Sequence, residues 1–164
     1  MKKQKGFSLI ELLIVVAIIL IIAAIAIPNL MRSRMAANES SAVGSVRTIN
    51  TAMVAYAAAF PDTGYSLNLV SLGGPVGGCA AGFIATTAIA CLIDPTLSNG
   101  SKSGYLFGAT GAALGGSTVN NTYTVTAAPQ GAGSTGNRGF FSDQTGVIRY
   151  SLSGAATAGS SPLQ

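Results

Sequence analysis

The stretch KGFSLIELLIVVAIILIIAAIAIP, residues 5–28, decides how this chain is organised. Residues 12–27 contain no polar side chain. As an α-helix that rises about 1.5 Å per residue, residues 7–27 would extend roughly 31 Å, which is about the thickness of the hydrocarbon core of a bilayer. The segment is therefore long enough to cross a membrane.

A single carboxylate, Glu11, lies near the start of this apolar segment. A charged side chain costs on the order of 2.5–3.5 kcal/mol at the centre of a bilayer and less towards the interface. The charge therefore indicates a function in which Glu11 meets a cation. A plain membrane anchor that makes no use of Glu11 is an alternative interpretation.

A secretory signal peptide is a second alternative. Lys2, Lys3 and Lys5 form a basic N-terminal region, and the AIA sequence at residues 24–26 has the small side chains of a cleavage site. The apolar run is, however, longer than the usual apolar region of a signal peptide. Glu11 also interrupts its start, and no polar segment precedes the alanines.

The GFSLIE sequence of residues 6–11, followed by an apolar run that ends in AAIAIP at residues 23–28, resembles the N-terminal segment of type IV pilins. The resemblance covers about the first sixty residues. It implies that a membrane-embedded prepilin peptidase cuts between Gly6 and Phe7 on the cytoplasmic side. It also implies that the same enzyme methylates the new amino group of Phe7 and that the apolar helix is retained.

The resemblance gives Glu11 a role in assembly. Cleavage would convert the amide nitrogen of Phe7 into an ammonium group, which stays charged after methylation. In the manner of the family, Glu11 of an incoming subunit would pair with the Phe7 ammonium of a neighbour in a helical filament of identical subunits. An unpaired ion among apolar side chains costs several kcal/mol, so this pair would set the axial register.

The formal net charge of +4 arises largely from the leader, residues 1–6. Removal of its three lysines leaves six basic and five acidic side chains, a net charge of +1. Basic residues on the N-terminal side of an apolar span favour a cytoplasmic N-terminus and an exported C-terminal part. The remaining charge does not indicate a nucleic-acid surface.

Pro28 ends the apolar run. It cannot donate an amide hydrogen bond and it crowds the carbonyl group four residues earlier, so we expect a helix kink there. A plain helix end at the membrane surface is the alternative. Helical spacing resumes beyond the proline, in an apolar seam formed by Val46, Ile49, Met53, Tyr56 and Phe60.

The later part of the chain predicts strands. Apolar and polar side chains alternate around Tyr105 and Tyr123, and residues 139–150 have the pattern of a hairpin. We therefore expect an α+β fold of the pilin type, in which the C-terminal half of the long helix packs on an antiparallel sheet of about four strands.

The predicted organisation has five parts. They are a cleaved cytoplasmic leader (1–6), a hydrophobic transmembrane or filament-core helix (7–28), the amphipathic half of the same helix (29–60), a globular domain with the sheet (61–152) and a flexible tail (153–164).

Cys79 and Cys91 are the two cysteines of the chain. Since the resemblance implies export, we expect a disulfide between them, which would stabilise the fold by on the order of 3 kcal/mol. Two buried free thiols are the alternative.

The sequence offers little catalytic chemistry. It contains no histidine, which excludes catalytic triads built on that residue and the Cys-x-x-Cys-His motif for haem. Asp62, Asp94 and Asp143 are scattered among turn residues, where a turn role is expected. We predict no catalytic, cofactor-binding or metal-binding residue.

The predicted function is the major subunit of a type IV pilus, a structural role rather than an enzymatic one. The implied partners are identical subunits, inner-membrane lipid before assembly, the prepilin peptidase and methyltransferase, and the pilus assembly machinery. The chain would lie in the bacterial inner membrane first and in an extracellular pilus afterwards. The alternatives are a pseudopilin of a type II secretion system and a membrane-tethered, exported binding domain.

Overall fold

The computed structural model describes residues 7–75 and 78–163. The predicted leader therefore lies outside the described residues. Within these described residues, three helices and six strands follow one another: α1 (Leu9–Ala59), α2 (Leu69–Leu72), α3 (Pro95–Ser98), β1 (Ser101–Lys102), β2 (Tyr105–Ala112), β3 (Thr122–Pro129), β4 (Gly139–Asp143), β5 (Arg149–Ser151) and β6 (Ser161–Pro162).

The chain divides into two compact units, Met1–Arg34 and Met35–Gln164. In the first unit, α1 continues through Pro28, so the alternative of a helix end at the proline is wrong. The helical spacing of the seam beyond Pro28 favours a continuous helix, although the proline removes one backbone hydrogen bond. A kink at Pro28 stays a prediction.

The second unit contains a six-stranded antiparallel sheet in the order β1-β2-β3-β4-β5-β6. Strands β2 and β3 pair along their whole length, from Tyr105 opposite Pro129 to Ala112 opposite Thr122. The α+β prediction is confirmed, although the sheet has six strands where about four were expected. The two additional strands, β1 and β6, have two residues each, which is too short for a period of two to be visible in the sequence.

The core of the second unit forms where α1 meets the sheet. The predicted seam is confirmed: Val46, Ile49, Met53 and Tyr56 are buried, and Phe60 is partly buried against the same cluster. The sheet contributes the buried side chains of alternating positions, including Tyr105, Phe107, Ala109, Tyr123, Val125 and Phe140. Each large apolar side chain that is buried in this way stabilises the fold by about 1.5–3 kcal/mol.

The structure differs from the flexible tail predicted for residues 153–164. This segment contains β6, which pairs with β5. The amide of Leu163 donates a hydrogen bond to the carbonyl of Ile148 at 2.7 Å, and Leu163 packs against the core. Arg149 Nη1 donates to the carbonyl of Ser160 at 3.1 Å. These contacts join the segment to the sheet.

Candidate assembly site

The residues that are predicted to act in assembly lie at the start of α1. Phe7 and Ser8 precede the helix, and Glu11 lies in its first turn. The backbone N–H of Ser8 donates to Glu11 Oε2 at 3.0 Å. Ser8 is the residue before the helix, and Glu11 lies three positions later. This is the spacing of a capping box. Glu11 thus helps to fix the start of α1 within a single chain.

The capping geometry is compatible with a second partner for Glu11. An ionised carboxylate can accept several hydrogen bonds through its two oxygens, so the bond from Ser8 does not exhaust its capacity. A negative charge in the first helical turn is also favoured by the helix dipole, by about 0.3–1 kcal/mol at an exposed position. Glu11 therefore lies at the N-terminus of α1 as a hydrogen-bond acceptor.

Phe7 lies four positions before Glu11 in the sequence and is 75% exposed. Its peptide bond to Gly6 reaches a residue outside the described ranges. The cleavage at Gly6–Phe7 and the methylation of Phe7 therefore stay predictions.

The side chains that follow the first turn form an exposed apolar surface. Residues 9–22 are all exposed, and they lie on every side of the helix. By length and composition α1 can cross a membrane, and no residue is buried in the 18-residue segment that meets this criterion. Soluble monomers rarely expose apolar patches of more than a few hundred Å², and larger exposed patches are typical of surfaces that contact a membrane or another protein.

A second arrangement, the Glu39 clasp, joins α1 to the loop between β3 and β4. Glu39 Oε1 accepts hydrogen bonds from the backbone N–H groups of Asn137 at 2.9 Å and Arg138 at 3.3 Å. Glu39 Oε2 lies 3.2 Å from Arg138 Nε, and the Glu39 side chain is only 14% exposed. Asn38 Nδ2 adds a bond to the carbonyl of Thr135 at 2.9 Å. The clasp fixes this loop to the helix.

The sequence alone does not predict a role for Glu39. Its one distinctive feature in the sequence is that it is the only acidic residue between Glu11 and Asp62. An isolated carboxylate in an amphipathic helix does not reveal its partner. The residues that bind Glu39, Asn137 and Arg138, lie 98 and 99 positions away in the chain.

Tyr105 and Tyr150 extend the clasp into the sheet. The hydroxyl of Tyr105 donates to the carbonyl of Arg138 at 2.9 Å. The pKa of Tyr105 is raised to about 12, chiefly by burial and also by the charge of Glu39, while Arg138 partly opposes the shift. The Arg138 guanidinium lies 5.6 Å from the centre of the Tyr150 ring, which is a cation–π distance. One loop is thereby joined to α1, β2 and β5.

The predicted disulfide is confirmed: Cys79 and Cys91 are joined, so the free-thiol alternative is wrong. The loop that they close is also attached to α1. The hydroxyl of Tyr56 donates to the carbonyl of Thr87 at 2.7 Å. Ile84, in the same loop, is 83% exposed.

Acidic and sulfur ligands do not cluster in the part of the chain that the structure describes. No group of three or more His, Cys, Asp or Glu side chains there could hold a metal ion.

Comparison with known proteins bears on the first turn and the apolar helix. Residues 1–27 match the family described as the prokaryotic N-terminal methylation motif. The chain is 60% identical over 40 residues to the type IV wide pilus major component PilA4 of Thermus thermophilus. The N-terminal segment of the chain is thus similar to that of type IV pilins. This confirms the resemblance that residues 6–28 indicated.

Other relatives of the pilin segment belong to two kinds of assembly. A fimbrial protein of Pseudomonas aeruginosa is 54% identical over 52 residues, and the type II secretion system core protein G of Escherichia coli is 35% identical over 54 residues. These matches, with that to PilA4, cover 24–33% of this chain and 30–37% of the relatives. The chain thus spans about a third of the length of each of these relatives. No solved structure matches it significantly.

These relatives are components of pili or fimbriae and of a type II secretion system. The segment that the family matches, residues 1–27, contains Gly6, Phe7 and Glu11, and Pro28 directly follows it. Glu39 and the disulfide lie outside these 27 residues.

Proposed function

We propose that this chain is the major subunit of a type IV pilus. The observation that carries the proposal is the exposed apolar helix with one carboxylate in its first turn, directly after a leader motif. The surface that is stable in lipid before assembly is also stable in a bundle of identical helices afterwards, because both environments exclude water from it.

The first step is removal of the leader, residues 1–6, by a prepilin peptidase. Before cleavage α1 crosses the inner membrane with its N-terminus in the cytoplasm, since the lysines of the leader favour that side. Hydrolysis of the Gly6–Phe7 bond adds one water, leaving a carboxylate on Gly6 and an amine on Phe7 that takes up a proton. In N-methylation, a methyl group leaves an electrophilic methyl donor and bonds to the Phe7 nitrogen, one N–H proton is released to solvent, and the nitrogen remains cationic.

In the second step, the Glu11 carboxylate of an incoming subunit pairs with the Phe7 ammonium of a subunit already in the filament. The bond from the Ser8 N–H holds this carboxylate at a fixed place on the first turn. Removing one partner of a buried ion pair costs about 3–5 kcal/mol. A subunit one position out of register would leave both ions without partners, so the pair selects one axial position.

The parts of the chain then have distinct roles. Residues 7–28 form the membrane anchor and later the filament core, and the rest of α1 carries the globular domain. The Glu39 clasp and the disulfide keep that domain folded outside the cytoplasm, after the pilus assembly machinery has moved the subunit into the extracellular fibre. A kink at Pro28 would allow adjacent helices to follow the curvature of the bundle.

The proposal is tested by Glu11→Ala in the native host. Membrane fractionation should show that the variant inserts as well as the unaltered chain or better, because a charge has been removed from an apolar segment. Electron microscopy should show few or no fibres. Asp62→Ala is the matched control, since it removes a carboxylate from the turn after α1 and should leave fibre yield unchanged. Normal fibre yield from Glu11→Ala would refute the role of Glu11.

A pseudopilin of a type II secretion system is the second candidate, and the similarity to core protein G favours it. Electron microscopy of cells with and without the chain separates the two. Abundant long fibres that disappear with the chain support a pilus, whereas loss of protein secretion without loss of fibres supports a pseudopilin.

A further inference from the structure

Two arginines, Arg32 and Arg34, follow the apolar part of α1, and both side chains are exposed. The ion pairs found between described residues are Lys102–Asp94 and Arg138–Glu39, and neither of them involves Arg32 or Arg34. Glu39 is the nearest acid that follows in the helix, and Arg138 already engages it. The two arginines are thus available for an anionic partner outside the chain.

The distance between Glu11 and Arg32 along the helix matches a membrane. At about 1.5 Å per residue, the 21 positions between them correspond to roughly 31 Å. The hydrocarbon core of a bilayer is about 30 Å thick. When Glu11 lies at one boundary of the hydrocarbon, Arg32 lies at the other, at the level of the phosphate groups. Arg34 follows two residues later in the helix and therefore lies further into the headgroup layer.

The two arginines point to different sides of α1. Successive residues of an α-helix are rotated by about 100°, so Arg32 and Arg34 are about 200° apart around the axis. A single protein surface docked on one face of α1 would meet one of them only. Lipid headgroups surround a membrane helix on all sides and can meet both, as lipid chains can cover the apolar residues that are exposed all round the same helix.

We propose that Arg32 and Arg34 bind the phosphate groups of anionic phospholipids in the outward-facing leaflet and thereby set the depth of α1 before assembly. This inference rests on the proposed membrane orientation of the chain. A guanidinium group presents paired N–H donors that match phosphate geometry, and a long side chain can reach the headgroups from a helix end. The contact would hold Glu11 and the Gly6–Phe7 bond at the opposite interface, where the peptidase acts.

The first test measures lipid selectivity. The full-length chain is placed in nanodiscs that contain equal amounts of phosphatidylglycerol and phosphatidylcholine, and native mass spectrometry reports which lipid is retained. A basic residue near an anionic surface changes binding by about fivefold. Arg32→Gln with Arg34→Gln should therefore reduce the preference for phosphatidylglycerol by roughly thirtyfold. Arg47→Gln, which removes an exposed arginine later in α1, is the matched control and should change it little.

The second test measures depth. Because the chain has no tryptophan, Leu9→Trp provides a single fluorescent reporter near the start of α1. Brominated lipids that quench at different depths locate the indole. Loss of both arginines lets residues 30–34 enter the hydrocarbon, so the reporter should move towards the headgroups on its own side. Arg47→Gln should leave the quenching profile unchanged.

The outcomes separate this inference from the proposed function. If the double variant inserts with unchanged selectivity and depth, or if Arg47→Gln has the same effect, binding of lipid phosphate by Arg32 and Arg34 is refuted while the pilin assignment stands. If the unaltered chain does not insert into nanodiscs at all, the membrane orientation fails and the inference fails with it.

Discussion

The backbone N–H of Ser8 donates a hydrogen bond to the carboxylate of Glu11 at 3.0 Å. A carboxylate that was assigned to contact between subunits therefore also has a partner within its own chain. The two roles are compatible, because the intrachain bond uses one of the oxygens and orders the turn that precedes the helix.

The two roles of Glu11 can be separated by Glu11→Gln. The amide oxygen of glutamine can still accept from the Ser8 N–H, so circular dichroism of the membrane-inserted chain should show unchanged helix content. The positive partner, by contrast, would lose its counter-ion in an apolar environment, at a cost of about 3–5 kcal/mol. We expect fibre yield to fall by more than tenfold in electron micrographs. Fibres at normal yield would show that the hydrogen bond alone is sufficient.

The Glu39 clasp should contribute measurably to stability. Glu39→Ala would remove the carboxylate that accepts from the N–H groups of Asn137 and Arg138, and we expect a loss of about 0.5–1.5 kcal/mol in the free energy of unfolding for each of the two hydrogen bonds. Arg138→Ala should cost less, about 0.2–1 kcal/mol for the ion pair, because that side chain is 45% exposed. Urea unfolding of the full chain in detergent measures both, and the reverse order of the two effects would contradict the geometry.

The disulfide should stabilise the globular part of the chain. Replacement of Cys79 and Cys91 together by serine should lower the free energy of unfolding by about 2–4 kcal/mol, because the unfolded chain gains freedom. Tyr56→Phe is an informative comparison, since it removes only the hydrogen bond to Thr87 and should cost about 0.5–1.5 kcal/mol. Equal unfolding midpoints for the oxidised chain and the double serine variant would exclude a stabilising role.

Asp94 makes a pH-dependent contribution to the free energy of unfolding. Burial alone would raise its pKa, but the hydrogen bond from the Leu97 N–H and the Lys102 ammonium lower it below the ordinary value of 3.8. The contribution of the charged form is therefore complete above pH 3.8 and is lost as the pH falls through the lowered pKa. Asp94→Asn should be less stable than the unaltered chain at neutral pH. In thermal unfolding the difference should disappear in acid, whereas a difference that persists there would require another cause.

The parts of the structure that the sequence predicted are those with a local periodic signal. Val46, Ile49 and Met53 recur at helical spacing and are buried. Tyr105 and Tyr123 lie in eight-residue strands whose burial alternates along most of their length, so a period of two was visible.

The parts that were missed depend on distant or very short segments. Glu39 and Arg138 meet although 99 positions separate them, and no local pattern connects a helix carboxylate to a particular loop. Strand β6 has two residues and forms only because β5 offers a free edge beside it. Helices α2 and α3 have four residues each, which is too short to produce an apolar stripe.

Processing at Gly6–Phe7 is measured by mass spectrometry of the intact protein purified from its native host. We expect a chain that begins at Phe7, lacks residues 1–6 and carries one additional methyl group on its amino terminus. A chain that still begins with the lysine-containing leader, or one that begins after Ala26, would contradict this expectation.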